Sequence, residues 1–374
     1  VSEKLNAKYK RHGVKDGDIL PLNENISLRI LETPGHSPDS ISIVLQAHNI
    51  DQVVFTGDAL LFGDVGRPDL REYGNHENEQ RTFLAKQLYH TVHEKFATLN
   101  DSLVVYPAHG AGSLCGNATH NVTSSTIGYE KAHNHAFQHP TEKAFVDYLL
   151  SSLSFVPQYF PYDVEHNRVG SNDVKTNLDK VKIFPHNYKV PAESIVVDIR
   201  PKNIYSKSYF KNAINIQEGT KFETWFGTVI NPNQKFFLVG QDEDSIHLAI
   251  AKLSKIGYET HLNGAFTFDI PNKIPSFLDG KKFILPDQQQ YTIIDVRNAN
   301  EFNEKKLISS SINIPLPDLA KGKIQIPKGK PIVVHCASGY RSAIAASILR
   351  NEYPDLQILD LGEEITNIQD ASAK

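Results

Sequence analysis

Two cysteines occur in the 374 residues, Cys115 and Cys336, and the second stands in a stretch suited to nucleophilic chemistry. Ile332-Val333-Val334-His335 reads as a short strand, Cys336-Ala337-Ser338-Gly339-Tyr340-Arg341-Ser342 as a loop, and Ala343-Ile344-Ala345-Ala346-Ser347-Ile348-Leu349 as helix. The first N–H groups of a helix lack intrahelical acceptors, and the helix dipole favours negative charge beside them. A thiolate at Cys336 is therefore stabilised, Arg341 adds a cation, and Gly339 lets the backbone fold tightly around a sulfur anion or a bound oxyanion. Cys336 and Arg341 are the expected catalytic pair, and Ala337, Ser338, Gly339, Tyr340 and Ser342 the cradle that meets substrate. An inert buried cysteine at a strand end is the competing reading, which the complete loop disfavours.

A second constellation lies nearer the amino terminus. His36 in Thr33-Pro34-Gly35-His36, Asp58 in Phe55-Thr56-Gly57-Asp58 and His109 in Tyr106-Pro107-Ala108-His109-Gly110 each stand at the end of a strand or just after one. This is how an α/β scaffold gathers metal ligands from distant parts of a sequence. His133-Asn134-His135 lies on the wrong side of these motifs and is expected to be a solvated surface cluster.

The elements that must position these groups alternate strand and helix. Ile41–Leu45, Val53–Phe55 and Leu103–Tyr106 are strand-like, and Leu84, Leu88, Val92 and Phe96 recur every four residues, predicting a helix over about 79–97. The stretch 155–187, with Pro157, Pro161, Gly170 and Pro185, lacks periodicity and reads as a connector. Beyond it the chain repeats itself. Asp198-Ile199-Arg200 is echoed by Asp295-Val296-Arg297, Ala213-Ile214-Asn215-Ile216 by Ser311-Ile312-Asn313-Ile314, and the strand Phe236–Val239 by Ile332–His335. Three matches in one order indicate a duplicated α/β domain. The first copy reaches its loop at Gly240-Gln241-Asp242-Glu243-Asp244 without a cysteine, so it is expected to be catalytically silent.

Composition narrows the partners. A formal net charge of −4 offers no basic stripe for nucleic acid, no run approaches the roughly 18 apolar residues of a membrane-spanning helix, and two cysteines exclude a disulfide framework. The chain opens at Val1 and contains no methionine. We therefore expect an amino-terminal segment ahead of Val1, with room in it for a targeting peptide, and spacings short by a residue wherever a methionine belongs.

The Cys336 loop, with Asp295-Val296-Arg297 about forty residues earlier and Glu301-Phe302 close behind, resembles the rhodanese family over roughly 281–370. That resemblance implies a cysteine that carries sulfane sulfur as a persulfide. A related phosphatase cradle has one residue more than the five between Cys336 and Ser342. The segment Lys306-Leu307-Ile308-Ser309-Ser310-Ser311 departs from the glycine-rich text usual for that family and bears on packing more than on chemistry. The three amino-terminal motifs, in their order, resemble the metallo-β-lactamase superfamily. Gly63-Asp64-Val65-Gly66-Arg67-Pro68-Asp69-Leu70, Tyr106–Ser113 with Cys115-Gly116, and Ser124–Gly128 are similar to persulfide dioxygenases, and their attachment to rhodanese repeats resembles the bacterial fusions of the two.

The resemblance implies a fold, a cofactor and substrates. The fold is α/β: an αββα metallo-β-lactamase sandwich over 1–154, its amino-terminal part missing, then the connector over 155–187, an inactive rhodanese-like domain over 188–280 and an active one over 281–374. It implies one Fe(II) per chain, held by His36, Asp58 and a histidine ahead of Val1, with His109 in the outer shell. Arg67 would meet the carboxylates of a glutathione-like persulfide, unless it forms a structural ion pair, and Cys115 would face the cleft or pack. O2, sulfite and thiosulfate are the other expected small molecules, in a cytoplasmic homo-oligomer. The rival expectations are a glyoxalase II-like binuclear hydrolase of thioesters and a non-enzymatic sulfur carrier or sensor.

Overall fold

The computed structural model describes residues 1–70, 77–111, 113–116, 122–151, 153, 155–171, 173–271, 289–322, 324–327 and 329–366. Packing divides the chain into two compact units, 1–153 with 164–170 and 154–163 with 171–374. In the first, β1 (Ile19–Pro21), β2 (Ile26–Glu32), β3 (Ile41–Ala47) and β4 (Ile50–Gly57) form an antiparallel meander. β5 (Val104–Pro107) joins β4 in parallel, and β6 (Ser125–Thr126) closes the edge antiparallel to β5. β4 and β5 therefore end side by side, which brings Asp58 and His109, the residues just past their carboxyl ends, to one rim of the sheet.

One face of this sheet is covered by helices. α1 (Glu77–His90) runs on through a wide π turn at Thr91–Lys95 and a 3-10 turn at Phe96–Thr98, so the expected helix is present with a local expansion. Leu84, Leu88, Val92 and Phe96 are all buried, the last three packing in one cluster with Val44, Val54 and Val105 of the sheet. α2 (Ile127–His133) and α3 (Glu142–Ser151) complete the layer through Ile127, Phe145, Val146 and Leu149. The period-two alternation of β3 turns Ser42, Val44 and Gln46 toward this layer and Ile41, Ile43 and Leu45 to the other face.

The stretch expected as a connector contains α4 (Phe160–Val169) and α5 (Val174–Leu178). The Asp173 carboxylate accepts from Thr176 N at 2.8 Å and caps α5, while Tyr162 Oη donates to the Gly257 carbonyl at 3.1 Å. Helices this short carry too few apolar repeats to show a period.

The second unit holds both repeats. The first runs β7 (Ile195–Asp198), α6 (Lys202–Tyr205), β8 (Ile214–Asn215), α7 (Phe222–Val229), β9 (Phe236–Gly240), α8 (Glu243–Leu253) and β10 (Leu262–Thr267). The second runs β11 (Thr292–Asp295), α9 (Ala299–Glu304), β12 (Ile312–Asn313), α10 (Leu316–Ala320), β13 (Ile332–His335), α11 (Tyr340–Glu352) and β14 (Ile358–Asp360). Both sheets are wholly parallel, ordered β8-β7-β9-β10 and β12-β11-β13-β14.

The residues that echo in sequence build the same brace in each copy. Arg200 Nε and Nη2 donate to Asp198 at 2.9 and 2.5 Å, and the Asn215 amide donates to the carbonyls of Asp198 and Arg200, both at 2.9 Å. Arg297, Asp295 and Asn313 repeat the arrangement, again with both amide contacts at 2.9 Å. The ion pairs stiffen the end of the first strand and the asparagine amides tie it to the edge strand beside it, so the echo is architectural. Expected as separate domains, the repeats share one core: Phe226, Leu238 and Ile246 of the first lie in one cluster with Ile294, Val334 and Ile344 of the second. The expected boundary at 280 lies outside the described residues.

Candidate functional site

Asp58 lies between two imidazoles at the rim of the first sheet. His36 Nε2 is 3.8 Å from Asp58 Oδ2, and His109 Nε2 is 3.3 Å from Asp58 Oδ1. His36 Nδ1 stands 2.9 Å from the Arg67 carbonyl. A carbonyl only accepts, so Nδ1 carries the proton and Nε2 is the nitrogen with the lone pair, facing Asp58. Fixing a ligand tautomer through a backbone carbonyl is the usual outer support of a metal-binding histidine. Asp58, His109 and Cys115 also offer one ligand atom each within 4.8 Å of one another.

These residues fit a metal. Asp58 Oδ1 is buried and has no hydrogen-bond partner among the described residues, with His109 Nε2 at ion-pair distance, 3.3 Å away. An unpaired buried carboxylate oxygen is costly unless a cation meets it. The backbone is shaped around the same spot: Gly66 N donates to the Asp58 carbonyl at 2.9 Å, and a Cβ on Gly66 would lie 2.1 Å from that oxygen and 2.8 Å from His36 Nδ1. No side chain but hydrogen is compatible with such an approach.

Arg67 differs from the open guanidinium that substrate carboxylates would need. It is 4% exposed, and its Nε and Nη2 each donate to the Asp69 carboxylate at 2.6 Å. Its contribution to the site is positional, through the carbonyl that orients His36 and the N–H that donates to the Cys115 carbonyl at 2.7 Å. Cys115 is half-buried beside Asp58, and burial first, then the Asp58 charge, raise its thiol above the ordinary range. Gly112 of the same motif lies outside the described residues.

Two supports escaped sequence reasoning because they act across more than sixty residues. Glu130 Oε2 accepts from Gly63 N at 3.0 Å, and the buried Asn134 amide donates to the carbonyls of Leu61 and Asp64, each at 3.0 Å. Together they brace the 61–64 loop that leads from Asp58 to Gly66. His133 and His135, flanking Asn134, are exposed. The His-Asn-His text thus presents a solvated pair around a structural asparagine.

The Cys336 loop is built at the carboxyl end of β13 and the amino end of α11. Cys336 is 1% exposed, and Gly339 N–H donates to its Sγ at 3.1 Å. Gly339 has φ +89°, a conformation open mainly to glycine, and this turns its N–H back onto the sulfur. Ala337 and Ser338 are exposed and form the mouth, Tyr340 is half-buried, and Ser342 is buried at the first turn of α11.

Arg341 reaches this loop as half of an ion pair. Its Nη1 and Nη2 donate to Glu301 at 2.5 and 2.8 Å, and its guanidinium lies 5.7 Å from the centre of the Trp225 ring. Burial works against a charged Glu301, but the two Arg341 donors outweigh it and hold the carboxyl below its usual range. Beneath the loop, burial pushes His335 down to about 4, with Asp295 opposing and Arg297 assisting. In the first repeat, Gly240 occupies the position of Cys336, and α8 starts at once with an Asp242–Ser245 capping box, so no cradle forms.

Residues 7–109 match the Metallo-beta-lactamase superfamily, and residues 284–364 match the Rhodanese-like domain. The chain is a fusion of a metallo-beta-lactamase domain with a rhodanese-like domain. It is 34% identical over 134 residues to the mitochondrial persulfide dioxygenase ETHE1 of Bos taurus and 35% identical over 134 residues to that of Homo sapiens. Each stretch makes up 36% of this chain and 44% of the relative, so the chain spans less than half the length of either. A crystal structure of a metallo-beta-lactamase from Staphylococcus aureus superposes with a TM-score of 0.60 at 29% identity, covering 72% of this chain and 75% of that one. The mixed α/β fold expected from sequence is the one observed, and the metallo-beta-lactamase fold implies a catalytic metal. No helix among the described residues is long and apolar enough to cross a membrane.

Proposed function

We propose that the chain oxidises a low-molecular-weight persulfide with O2 at one Fe(II) to give sulfite, and carries sulfane sulfur on Cys336 so that thiosulfate forms. The observation that supports this best is the presence, in one chain, of a buried carboxylate flanked by two imidazoles and a thiol seated under a loop N–H. His36 and Asp58 would hold the iron, with His109 beside them; Fe(II) with such donors supplies open positions for O2 and a substrate sulfur. The Arg67 carbonyl keeps His36 in its ligating tautomer, and Gly66 leaves room for it. At the second site the Cys336 thiolate attacks the outer sulfur of a donor persulfide. A new S–S bond forms at Sγ, the donor S–S bond breaks, and the thiol leaves with the electron pair. Sulfite then takes the outer sulfur from Cys336, forming thiosulfate and restoring the thiolate. Tethering both activities raises the effective concentration of sulfite at the second site.

One observation favours a second reading. Asp58 faces both histidines, a placement that also suits a carboxylate bridging two metals in a glyoxalase II-like hydrolase. Metal counting on the full chain, with O2 uptake measured on glutathione persulfide, separates the two. The proposal expects about one iron per chain, persulfide-dependent O2 uptake, and loss of both in Asp58→Ala. Two zinc ions per chain with thioester hydrolysis would overturn it.

A further inference from the structure

The silent repeat reaches into the active one at three points around the Cys336 loop. The Gln217 carbonyl accepts from Tyr340 Oη at 2.6 Å, the Trp225 ring lies 5.7 Å from the Arg341 guanidinium, and Lys202 Nζ pairs with Glu363 Oε1 at 3.1 Å. Lys202 stands against the backbone of the cradle. A Cβ built on Gly339 would fall 2.8 Å from Lys202 Nζ, and one on Gly362 would fall 3.2 Å from it. Gly339 is the residue whose N–H donates to Cys336 Sγ, so the ammonium rests against the backbone that holds the sulfur.

Charge bookkeeping at the loop gives Lys202 its significance. The charge of Arg341 is already met by both oxygens of Glu301. The loop residues Ala337, Ser338, Gly339, Tyr340 and Ser342 carry none. Lys202 is partnered differently: its side chain is 18% exposed, whereas that of Glu363 is 77% exposed. An ion pair to so exposed a carboxylate contributes little and yields readily to a competing anion. The partly shielded ammonium keeps its attraction for an anion arriving at the mouth formed by Ala337 and Ser338.

We propose that Lys202, supplied by the silent repeat, selects anionic sulfur donors and acceptors at the Cys336 site, favouring thiosulfate and sulfite over neutral reagents. The inference rests on the sulfur-transfer reading of Cys336. In transfer from thiosulfate, the thiolate forms a bond to the outer sulfur, the S–S bond of thiosulfate breaks, and sulfite leaves with the electron pair and two negative charges. Lys202 meets a dianion both before and after this step. Such uniform attraction changes KM more than kcat.

The test uses the full chain as wild type, Lys202→Gln and Lys202→Arg, with two measurements. In thiosulfate-to-cyanide transfer, Lys202→Gln raises KM for thiosulfate about five- to tenfold with kcat within about twofold, the loss of one charge-assisted contact, and Lys202→Arg restores it. In alkylation of Cys336, followed on its own peptide by mass, Lys202→Gln lowers the rate with iodoacetate relative to neutral iodoacetamide, and Lys202→Arg does not. An unchanged KM together with an unchanged iodoacetate-to-iodoacetamide ratio in Lys202→Gln would overturn the inference. A wild-type chain that transfers no sulfur would overturn the sulfur-transfer reading instead, while the alkylation ratio would still decide whether Lys202 attracts anions to this cysteine.

Discussion

His335, directly before Cys336, couples the second repeat to pH. It is fully buried, and its Nε2 lies 3.9 Å from Asp295 Oδ2. Burial lowers its pKa from 6.5 to about 4. Above pH 6.5 the imidazole is neutral in both folded and unfolded chains, and it adds no pH dependence. Below that value the unfolded chain binds a proton that the fold refuses until about pH 4, so stability is kept above 6.5 and lost as the pH falls between the two. The whole gap corresponds to about 3 kcal/mol, of which about 2 kcal/mol is lost by pH 5. His335→Gln removes this titration and keeps a polar side chain. Trp225, the single tryptophan, lies in the second unit and reports its unfolding by fluorescence in urea. Wild type should lose about 2 kcal/mol relative to His335→Gln between pH 7 and pH 5, a difference in which the other titrating groups cancel. Parallel pH profiles for the two proteins would refute the reasoning, because they would mean that His335 protonates as readily inside the fold as outside it.

Gly66→Ala should empty the metal site, because its Cβ would lie 2.1 Å from the Asp58 carbonyl oxygen and 2.8 Å from His36 Nδ1. Overpacking of this kind costs about 1–3 kcal/mol; metal content by elemental analysis should fall well below wild type while the Trp225-reported unfolding stays unchanged, and full metal loading in the variant would count against the site. Cys336→Ser cannot hold a persulfide, so thiosulfate-to-cyanide transfer should vanish while O2 uptake persists and sulfite accumulates in place of thiosulfate. Thiosulfate still formed enzymatically, or O2 uptake lost from a folded, metal-loaded variant, would contradict two independent sites.

What was legible in the sequence is what local physics decides. The four-residue spacing of Leu84, Leu88, Val92 and Phe96 marks a helix face because only one side of a helix meets a sheet, and all four are buried. The thiol, glycine and helix start of the Cys336 loop are contiguous, so their joint purpose shows in the text. The paired Asp-x-Arg and Asn echoes also show, since each copy needs the same brace. Contacts set by tertiary packing do not show. Whether Arg67 is open to a ligand depends on Asp69 folding back against it, and the loop behind Asp58 is held by Glu130 and Asn134, far along the chain. The partners of Arg341 illustrate both cases: Glu301 belongs to a recognisable motif, whereas Trp225 belongs to the other repeat.

The first repeat has no cysteine at the loop position and still has a structural part. At Gly240 the thiol position is filled by backbone packed against Ile246, where an added Cβ would lie 2.4 Å from Cγ1, and Asp242 spends its carboxylate capping α8. Yet the frame around that loop is intact, with the Asp198–Arg200 ion pair and the Asn215 bridge still in place. The same frame holds β8, whose Asn215 N–H donates to Ser347 Oγ of α11 at 3.0 Å. α11 is the helix whose amino end forms the floor of the Cys336 loop. Loosening the brace of the first repeat would therefore act on the helix that seats the Cys336 thiol, which gives the repeat without a cysteine a physical reason to remain folded against its partner.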